Sequence, residues 1–206
     1  LKYDKLTGNF DKDKKIVKKL FKEATDNKTP VFLIASKGLF KTYEFHHEDK
    51  ILKQQNLPTR ENLIEEILQA LPKNTLVVST TGMASRELFE IRVRNKQSHE
   101  QDFLTVGSMG HANMIALGVA QNTHRYVFCI DGDGASIMHL GNLTSTGQSG
   151  AKNLIHILLN NAAHDSVGGQ PTCADAIDLP LIAKACGYVS VKSMSKLDEI
   201  RETESL

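Results

Sequence analysis

The amino-acid sequence predicts an α/β protein built around a parallel sheet with helices on both of its faces. Short, continuous apolar runs recur along the chain, and strands that are covered on both faces have this composition. Segments in which apolar residues follow helical spacing separate these runs. Because parallel strands are joined by right-handed helical crossovers, the alternation predicts one parallel sheet.

Overall composition excludes several classes of protein. The 206 residues are 40% hydrophobic and 24% charged, which is typical of a globular domain. No apolar run approaches the ~18–20 residues of a membrane span, and a net charge of +1 argues against a nucleic-acid-binding surface. The three cysteines form no C-x-x-C pair, which argues against a disulfide framework or a structural zinc site and favours a reducing compartment such as the cytoplasm.

Charge divides the chain into two parts. Residues 1–57 contain 13 lysines and eight acidic residues, whereas residues 58–206 contain 12 basic and 16 acidic residues. We therefore predict two structural units. In the first, apolar spacing predicts a helix over 11–26, and the apolar run at 30–35 predicts a strand buried on both sides. Residues 37–57 show no clear period and are interpreted as a linker.

In the second unit, strands and helices alternate. Thr59 is predicted to cap a helix that carries Leu63, Ile64, Ile67, Leu68 and Leu71. The remaining predicted strands are 75–79, 103–106, 126–130, 154–159 and 188–192, and the remaining predicted helices are 84–94, 110–121, 136–147, 176–186 and 196–206.

The loops after four of these strands share a composition. In open parallel sheets, ligands bind outside the carboxyl ends of the strands. The loops 80–83, 107–110, 131–135 and 160–172 all follow strands and are rich in Gly, Ser, Thr, Asn or Asp. We therefore expect a binding site at this edge of the sheet.

The turn after strand 126–130 has the sequence Asp131-Gly132-Asp133-Gly134-Ala135-Ser136. Gly132 and Gly134 allow a sharp turn and a close approach to a ligand, and a helix start offers free N–H groups to an anion. Because Asp133 would repel a bare phosphate, the turn favours a phosphate bound together with a hard cation such as Mg²⁺. Ile137 stands where a dinucleotide fingerprint needs glycine, and no Gly-Lys-Ser/Thr sequence marks a P-loop. A plain strand-to-helix turn remains the alternative.

A pair of asparagines follows the next predicted strand. Asn160 and Asn161 offer neutral amide oxygens that could complete a magnesium shell. The 25 residues between Gly134 and Asn160 suffice for one helix and one parallel strand, so the two loops should lie side by side.

These two segments together resemble a known motif. Gly132-Asp133-Gly134, followed after 25 residues by Asn160-Asn161, is similar to the thiamine-diphosphate-binding motif of thiamine-dependent enzymes. Residues 107–112 (GSMGHA) and 164–172 (HDSVGGQPT) resemble the phosphonopyruvate decarboxylases, and next the sulfopyruvate decarboxylases. The resemblance covers 58–206 and implies the thiamine-diphosphate-binding fold for that unit.

The resemblance implies thiamine diphosphate and Mg²⁺ as cofactors. Asp133, the Asn161 side chain and the Ala163 carbonyl would bind Mg²⁺. The Gly107 carbonyl, beside Ser108, would accept a hydrogen bond from the cofactor's 4′-amino group. Met109 would wedge between the cofactor's two rings, with a core methionine as the alternative. The diphosphate would be held by Thr81, Gly82, Gly134, Ala135 and Ser136.

The candidate catalytic residues are His111 and His164. A hydrolase triad of His164, Asp165 and Ser166 is excluded, because consecutive side chains diverge. We interpret His164 as lying beside the cofactor's thiazolium ring, where it binds substrate or moves protons. A role in ordering the loop is the alternative.

The resemblance implies decarboxylation of a small 2-oxo acid, 3-phosphonopyruvate, to phosphonoacetaldehyde and CO₂ in phosphonate biosynthesis. Sulfopyruvate decarboxylase is the first alternative. The β subunit of a 2-oxoacid:ferredoxin oxidoreductase fits less well, because clustered cysteine ligands are absent. A non-catalytic cofactor-binding module is the alternative from another class.

One required residue has no counterpart in this sequence. In the resembled family, a glutamate from the pyrimidine-binding domain of a partner subunit activates the cofactor. Residues 30–36 resemble the last strand of such a domain, so we expect 1–57 to be its tail plus a linker. We further expect the chain to be part of a longer protein, truncated at the C-terminus and inactive alone. The enzyme should be a homodimer or homotetramer with the cofactor at the subunit interface.

Overall fold

The computed structural model describes residues 2–41 and 57–201. The chain divides between residues 53 and 54 into two compact units. Most of the predicted linker (42–56) and the end of the predicted helix 196–206 (202–206) lie outside the described residues.

The N-terminal unit is a two-stranded parallel sheet with one long helix. Strand β1 (Lys2–Lys5) pairs with β2 (Val31–Ile34), and α1 (Phe10–Asn27) connects them. The Asn9 side chain caps α1 by accepting from the Lys12 N–H, 3.1 Å away. Helix 11–26 and strand 30–35 were predicted and are confirmed, whereas β1 was missed because its sequence, KYDK, has no apolar run.

The predicted burial of β2 on both sides is wrong. Phe32, Leu33 and Ile34 are 52%, 43% and 40% exposed. The physical reason is that a strand is buried on both faces only when elements cover both. Within this unit one helix packs on the sheet, and Leu20 is its buried residue.

The C-terminal unit contains a four-stranded parallel sheet in the order β4-β3-β5-β6. Strand β5 is paired on both sides and is completely buried from Val127 to Ile130. Four of the five predicted strands are therefore confirmed. The strands are β3 (Leu76–Ser79), β4 (Asp102–Leu104), β5 (Val127–Gly132) and β6 (Leu154–Leu159).

Helices cover both faces of this sheet, as predicted. Val77 and Ile130 pack in one apolar core with α2 (Arg60–Ala70) and α3 (Met83–Arg94). Val78 and Cys129, from the opposite face, pack with α4 (Ala112–Gln121). The Thr59 hydroxyl caps α2 through the Asn62 N–H at 3.2 Å, which confirms the predicted start. The remaining elements are α5 (Asp133–Met138), α6 (Asn142–Gln148), the hairpin strands β7 (Ala163–His164) and β8 (Gln170–Pro171), α7 (Leu179–Ala185) and α8 (Leu197–Arg201).

The predicted helix 136–147 is two short helices. It begins earlier, at Asp133, and is interrupted at His139–Gly141. Gly141 is a poor helix former, and at this point the backbone makes i→i−3 hydrogen bonds, from the Asn142 N–H to the His139 carbonyl at 2.9 Å and from the Leu143 N–H to the Leu140 carbonyl at 3.1 Å. The continuous α-helical ladder is therefore interrupted, and the Asn142 side-chain amide donates to the Gly110 carbonyl at 3.0 Å.

The predicted strand 188–192 does not form. Gly187 turns the chain with φ 104°, and Val189 after it is fully exposed. Tyr188 instead turns toward β6, where its hydroxyl lies 3.0 Å from His156 Nδ1. Alternating apolar residues specify a strand only if a neighbouring strand pairs with it, and here β6 remains the edge. The predicted helix 176–186 is shortened to α7, which Asp178 caps by accepting from the Leu181 N–H.

Among the described residues, no helix has both the length and the apolar character needed to cross a membrane.

Candidate functional site

The carboxyl end of β5 continues directly into α5. The last strand residue is Gly132 and the first helical residue is Asp133, so the acidic turn contains no separate loop. Asp133 is 2% exposed. The strand and helix hydrogen bonds on its two sides therefore fix its backbone without any help from side chains.

The two glycines of this turn have different roles. Gly132 has an extended backbone (φ −113°), and a Cβ built on it would meet nothing within 4 Å. A Cβ on Gly134 would lie 2.4 Å from His164 Cε1 and 3.3 Å from Thr172 Cγ2. Glycine is therefore required only at position 134, where another segment approaches closely. The sharp turn that was predicted at both glycines is not needed at Gly132, whose backbone is extended.

Within the described part of the chain, the Asp133 carboxylate has no cationic partner. Its Oδ2 accepts a hydrogen bond from the Thr172 hydroxyl, and among the described residues it forms no ion pair. A buried carboxylate is costly unless a cation or several hydrogen bonds compensate for its desolvation. The position therefore has the chemistry of a ligand for a cation.

The loop after β6 lies beside this turn. The register pairs Gly132 with Leu159, so Asp133 and the two asparagines leave neighbouring strands at the same edge. Asn161 Oδ1 accepts from the Ala163 N–H at 3.2 Å, and its Nδ2 donates to Asp165 Oδ2 at 2.8 Å. Between them Ala162 has φ 55°, a left-handed turn that a non-glycine residue rarely adopts.

The β7–β8 hairpin folds this loop back across the sheet edge. The His164 ring covers Gly134, and the Ser166 side chain lies 3.3 Å from the position of a Cβ on Gly82. Asp165 instead pairs with Arg60 at 2.8 Å. The three consecutive side chains contact three different elements, in agreement with the exclusion of a triad.

The loops after β3 and β4 are joined to each other. The Thr81 hydroxyl accepts from the Gly107 N–H at 3.1 Å. Gly107 and Ser108 both have positive φ, 76° and 49°, and the His111 N–H donates to the Ser108 carbonyl at 3.1 Å, closing a tight turn around the half-buried Met109. Thr80 Oγ1, at the start of the first loop, is buried and has no hydrogen-bond partner among the residues that the structure describes.

His111 lies apart from His164 in the sheet. It follows β4, the edge strand on the far side of β3 from β5. Its ring packs edge-on against His139 at 4.4 Å between centroids, and His139 ends α5. The structure thus links His111 to the end of α5, while His164 covers its start.

A salt-bridge network behind the asparagine loop was missed by the sequence analysis. Arg60, the first residue of α2, forms two hydrogen bonds of 2.8 Å to the Glu87 carboxylate and one of 2.8 Å to Asp165. The Glu87 hydrogen bonds, followed by those to Asp165, raise the pKa of Arg60 above its usual range despite partial burial. No sequence motif relates Arg60 to Asp165, because 105 residues separate them.

A second missed feature is a buried polar chain beneath the acidic turn. Asp131 is 1% exposed, and His156 Nε2 lies 3.4 Å from its Oδ2. The other ring nitrogen of His156 faces the Tyr188 hydroxyl at 3.0 Å. Burial raises the pKa of Tyr188 to about 12. Burial, and then the charge of Asp131, raises the pKa of the adjacent Cys129 thiol, which therefore stays protonated at neutral pH.

Comparison with known proteins places this geometry in context. Residues 80–204 match the model of the thiamine pyrophosphate enzyme, C-terminal TPP binding domain. The chain is 45% identical over 145 residues to phosphonopyruvate decarboxylase of Streptomyces viridochromogenes, a match that covers 70% of this chain and 35% of that protein. It is 36% identical over 139 residues to sulfopyruvate decarboxylase subunit beta of Methanocaldococcus jannaschii, covering 67% of this chain and 71% of that subunit.

A solved structure with the same fold is benzoylformate decarboxylase from Polynucleobacter necessarius, with a TM-score of 0.58 at 16% identity. The superposition covers 77% of this chain and 32% of that one. At this identity the likeness concerns the fold alone. The chain spans about a third of the length of the Streptomyces protein.

Proposed function

The chain belongs to the family of thiamine pyrophosphate enzymes whose C-terminal TPP binding domain it matches, and we propose that it is the diphosphate-binding portion of a 3-phosphonopyruvate decarboxylase. The family resemblance predicted from the motifs is thereby confirmed. The proposed reaction releases CO₂ and phosphonoacetaldehyde. The observation that supports it best is the buried Asp133 carboxylate, which has no cationic partner in the described ranges 2–41 and 57–201 and lies beside a loop of amide and carbonyl oxygens.

The residues at this edge fit a magnesium ion. Asp133 would supply a carboxylate oxygen, Asn161 an amide oxygen and Ala163 a backbone carbonyl. An all-oxygen donor set is the one that Mg²⁺ prefers, and Mg²⁺ commonly completes its shell with phosphate oxygens. A bound cation would also compensate for the desolvation of Asp133.

The diphosphate would lie over the same turn. The first-turn N–H groups of Gly134 and Ala135 have no helical acceptor, and together with the Ser136 hydroxyl they would be available to an anion. Thr81 and Gly82 would contact the diphosphate from the loop after β3, where the buried Thr80 hydroxyl has no hydrogen-bond partner among the described residues. Because Gly134 has no side chain, the His164 ring can lie close to the same turn.

Three residues of this chain would act on the reacting groups. The Gly107 carbonyl would accept a hydrogen bond from the cofactor's amino group, and the adjacent Met109 would set the angle between the cofactor's rings. His164, which covers Gly134, would move a proton to or from the substrate. Thiamine diphosphate, when bound, supplies the electron sink that accepts the electron pair of the broken C–C bond. His111 would support this site through its ring contact with His139.

The proposed activity requires a group from outside the described residues. We infer that an activating glutamate comes from a pyrimidine-binding domain of a partner subunit, and that 1–57 is the tail of such a domain plus a linker. The enzyme would then be a dimer or tetramer. With three free thiols, we place it in a reducing compartment such as the cytoplasm.

The second candidate is a sulfopyruvate decarboxylase subunit. The 36% identity to the Methanocaldococcus subunit supports this candidate. The higher identity to the Streptomyces protein, 45%, favours phosphonopyruvate.

Cofactor binding is tested by thermal unfolding of the chain with thiamine diphosphate and Mg²⁺, alone and together. Ligand at 100 times its dissociation constant adds ~2.7 kcal/mol, which raises the midpoint by about 5–10 °C for a chain of this size. The increase should require both ligands. An identical midpoint in all four conditions, both for the chain alone and for the chain mixed with the portion of the Streptomyces protein that it does not match, contradicts the proposal.

The substrate is tested by mixing the chain with the portion of the Streptomyces protein that it does not match, and measuring CO₂ release. Faster release from 3-phosphonopyruvate than from sulfopyruvate supports the first candidate, and the reverse order supports the second. A mixture that binds the cofactor but releases CO₂ from neither substrate contradicts both.

A further inference from the structure

We propose that Asp165, held in place by Arg60, is a positioning residue that turns the Asn161 amide so that its oxygen faces the cation. This inference rests on the proposed function, because it assumes that Asn161 is a metal ligand. Asp165 would not touch the metal, the cofactor or the substrate.

The amide of Asn161 has two chemically different ends. A rotation of 180° about its last side-chain bond would present a nitrogen donor to the cation instead of an oxygen. The Asp165 carboxylate can only accept hydrogen bonds, so its 2.8 Å contact fixes Nδ2 on its own side. Oδ1, which accepts from the Ala163 N–H at 3.2 Å, is thereby held at the other end of the amide group.

Asp165 is in turn held from outside the loop. Its Oδ2 accepts from Arg60 Nη1 at 2.8 Å. The Arg60 guanidinium is fixed by a two-point interaction with Glu87, and the side chains of this pair are only 23% and 18% exposed. Such bidentate pairs define the direction of the guanidinium as well as its distance.

The charge of Arg60 has a second consequence. A free carboxylate four residues from Asn161 would compete with Asn161 for a divalent cation. Because Arg60 neutralises Asp165, the carboxylate serves as a hydrogen-bond acceptor rather than as a ligand. Arg60 precedes the residues 80–204 that match the family model, so the network extends the site to α2.

The test is a Mg²⁺ titration of the 206-residue chain at saturating thiamine diphosphate, with the unfolding midpoint as readout. Four chains are compared: wild type, Asp165→Ala, Asn161→Ala and the double variant. Loss of a residue that orients a metal ligand typically weakens metal affinity 10–100-fold. We expect Asp165→Ala to weaken the apparent Mg²⁺ affinity about 10-fold. In the Asn161→Ala background, the same change should have almost no further effect, because it acts through Asn161.

Two controls separate positioning from general stability. Glu61→Ala removes a comparable ion pair of α2, to Arg94 at 2.7 Å, away from the asparagine loop. It should leave the Mg²⁺ affinity unchanged. Asp165→Asn retains the side-chain volume and can turn an oxygen toward Asn161 Nδ2, so it should recover part of the affinity even if Asp165→Ala folds poorly.

The outcomes are distinguishable. Wild-type affinity in Asp165→Ala, or an equal loss in both backgrounds, overturns the positioning role and leaves the proposed function standing. A wild-type chain whose midpoint does not respond to Mg²⁺ overturns the proposed metal site together with this inference.

Discussion

The two sides of the proposed magnesium site are preorganised in different ways. On the β5 side, Asp133 is buried and lies between a strand and a helix, so backbone hydrogen bonds fix it. On the β6 side, Asn161 is exposed on a loop whose geometry depends on side-chain contacts with Asp165 and, through it, Arg60.

This difference determines how each side should respond to substitution. A backbone-held ligand keeps its position when its own side chain is changed, so such a change alters chemistry without altering the fold. A side-chain-held ligand depends on partners that can be removed one at a time. Substitutions on the β5 side should therefore act through steric fit and charge. Substitutions on the β6 side should act through the loss of hydrogen bonds.

The largest effect is expected for Asp133→Asn. The substitution preserves shape but removes the charged oxygen ligand, so Mg²⁺-dependent cofactor binding should weaken at least ~100-fold, or ~2.7 kcal/mol. Because the metal-free chain no longer buries an uncompensated charge, its free energy of unfolding should rise by about 1 kcal/mol. Urea unfolding without metal and calorimetric titration with Mg²⁺ and thiamine diphosphate measure the two quantities. A decrease in metal-free stability contradicts the assignment of Asp133 as an uncompensated buried charge.

The second prediction compares Gly134→Ala with Gly132→Ala. A methyl group on Gly134 would lie 2.4 Å from the His164 ring, whereas one on Gly132 meets nothing within 4 Å. We expect Gly134→Ala to cost about 2 kcal/mol of unfolding free energy through overpacking, and Gly132→Ala to cost less than ~0.5 kcal/mol. Urea denaturation of both metal-free variants makes the comparison. Equal losses would mean that the hairpin does not lie against Gly134.

The juxtaposition of the two sides was predictable, because it follows from local signals. The apolar runs 126–130 and 154–159 identify two strands, and the 25 residues between Gly134 and Asn160 allow one parallel crossover. Asp133 and Asn161 then lie at the same edge without any knowledge of side-chain packing. The register between β5 and β6 confirms this placement.

The salt-bridge network that supports the asparagine loop was not predictable, because it depends on contacts between distant segments. Arg60 and Asp165 are 105 residues apart, and nothing in either local sequence specifies the other. The same holds for the predicted strand 188–192, which does not pair with the edge strand β6, and for β1, whose charged sequence forms a strand because β2 pairs with it. Contacts between distant segments decide these features, and periodicity does not report them.

The third prediction concerns the hydrogen bond between Thr172, which follows β8, and Asp133 on the β5 side of the site. The Thr172 hydroxyl donates to the Asp133 carboxylate, which connects the β8 end of the hairpin to the acidic turn. Thr172→Val preserves shape and removes this donor. Because hydrogen bonds to charged groups contribute ~1.5–3 kcal/mol, we expect a loss of about 1.5 kcal/mol in the metal-free chain. Thr144→Val, which removes an exposed hydroxyl bonded within its own turn, is the control and should cost less. If both cost the same, Thr172 does not join the two sides.

The smallest effect concerns the pH dependence of the β5 side. Burial raises the pKa of Tyr188 to about 12 from its ordinary value of 10.0, so the folded chain keeps the phenol neutral where the unfolded chain ionises it. A group whose pKa is raised on folding contributes stability that is complete below pH 10 and is lost as the pH rises toward 12. Relative to pH 8, the loss at pH 11 would be ~1.4 kcal/mol for a fully buried group, and about 1 kcal/mol for this partly exposed one. Tyr188→Phe removes this titration together with the contact to His156, so the variant should be less stable than wild type at pH 8. At pH 11 the difference in unfolding free energy between the two chains should be smaller by about 1 kcal/mol. Urea unfolding of both proteins at pH 8 and pH 11 measures this difference. A difference that is the same at both pH values would mean that Tyr188 is solvated in the folded state and is not part of the buried polar chain beneath Asp131.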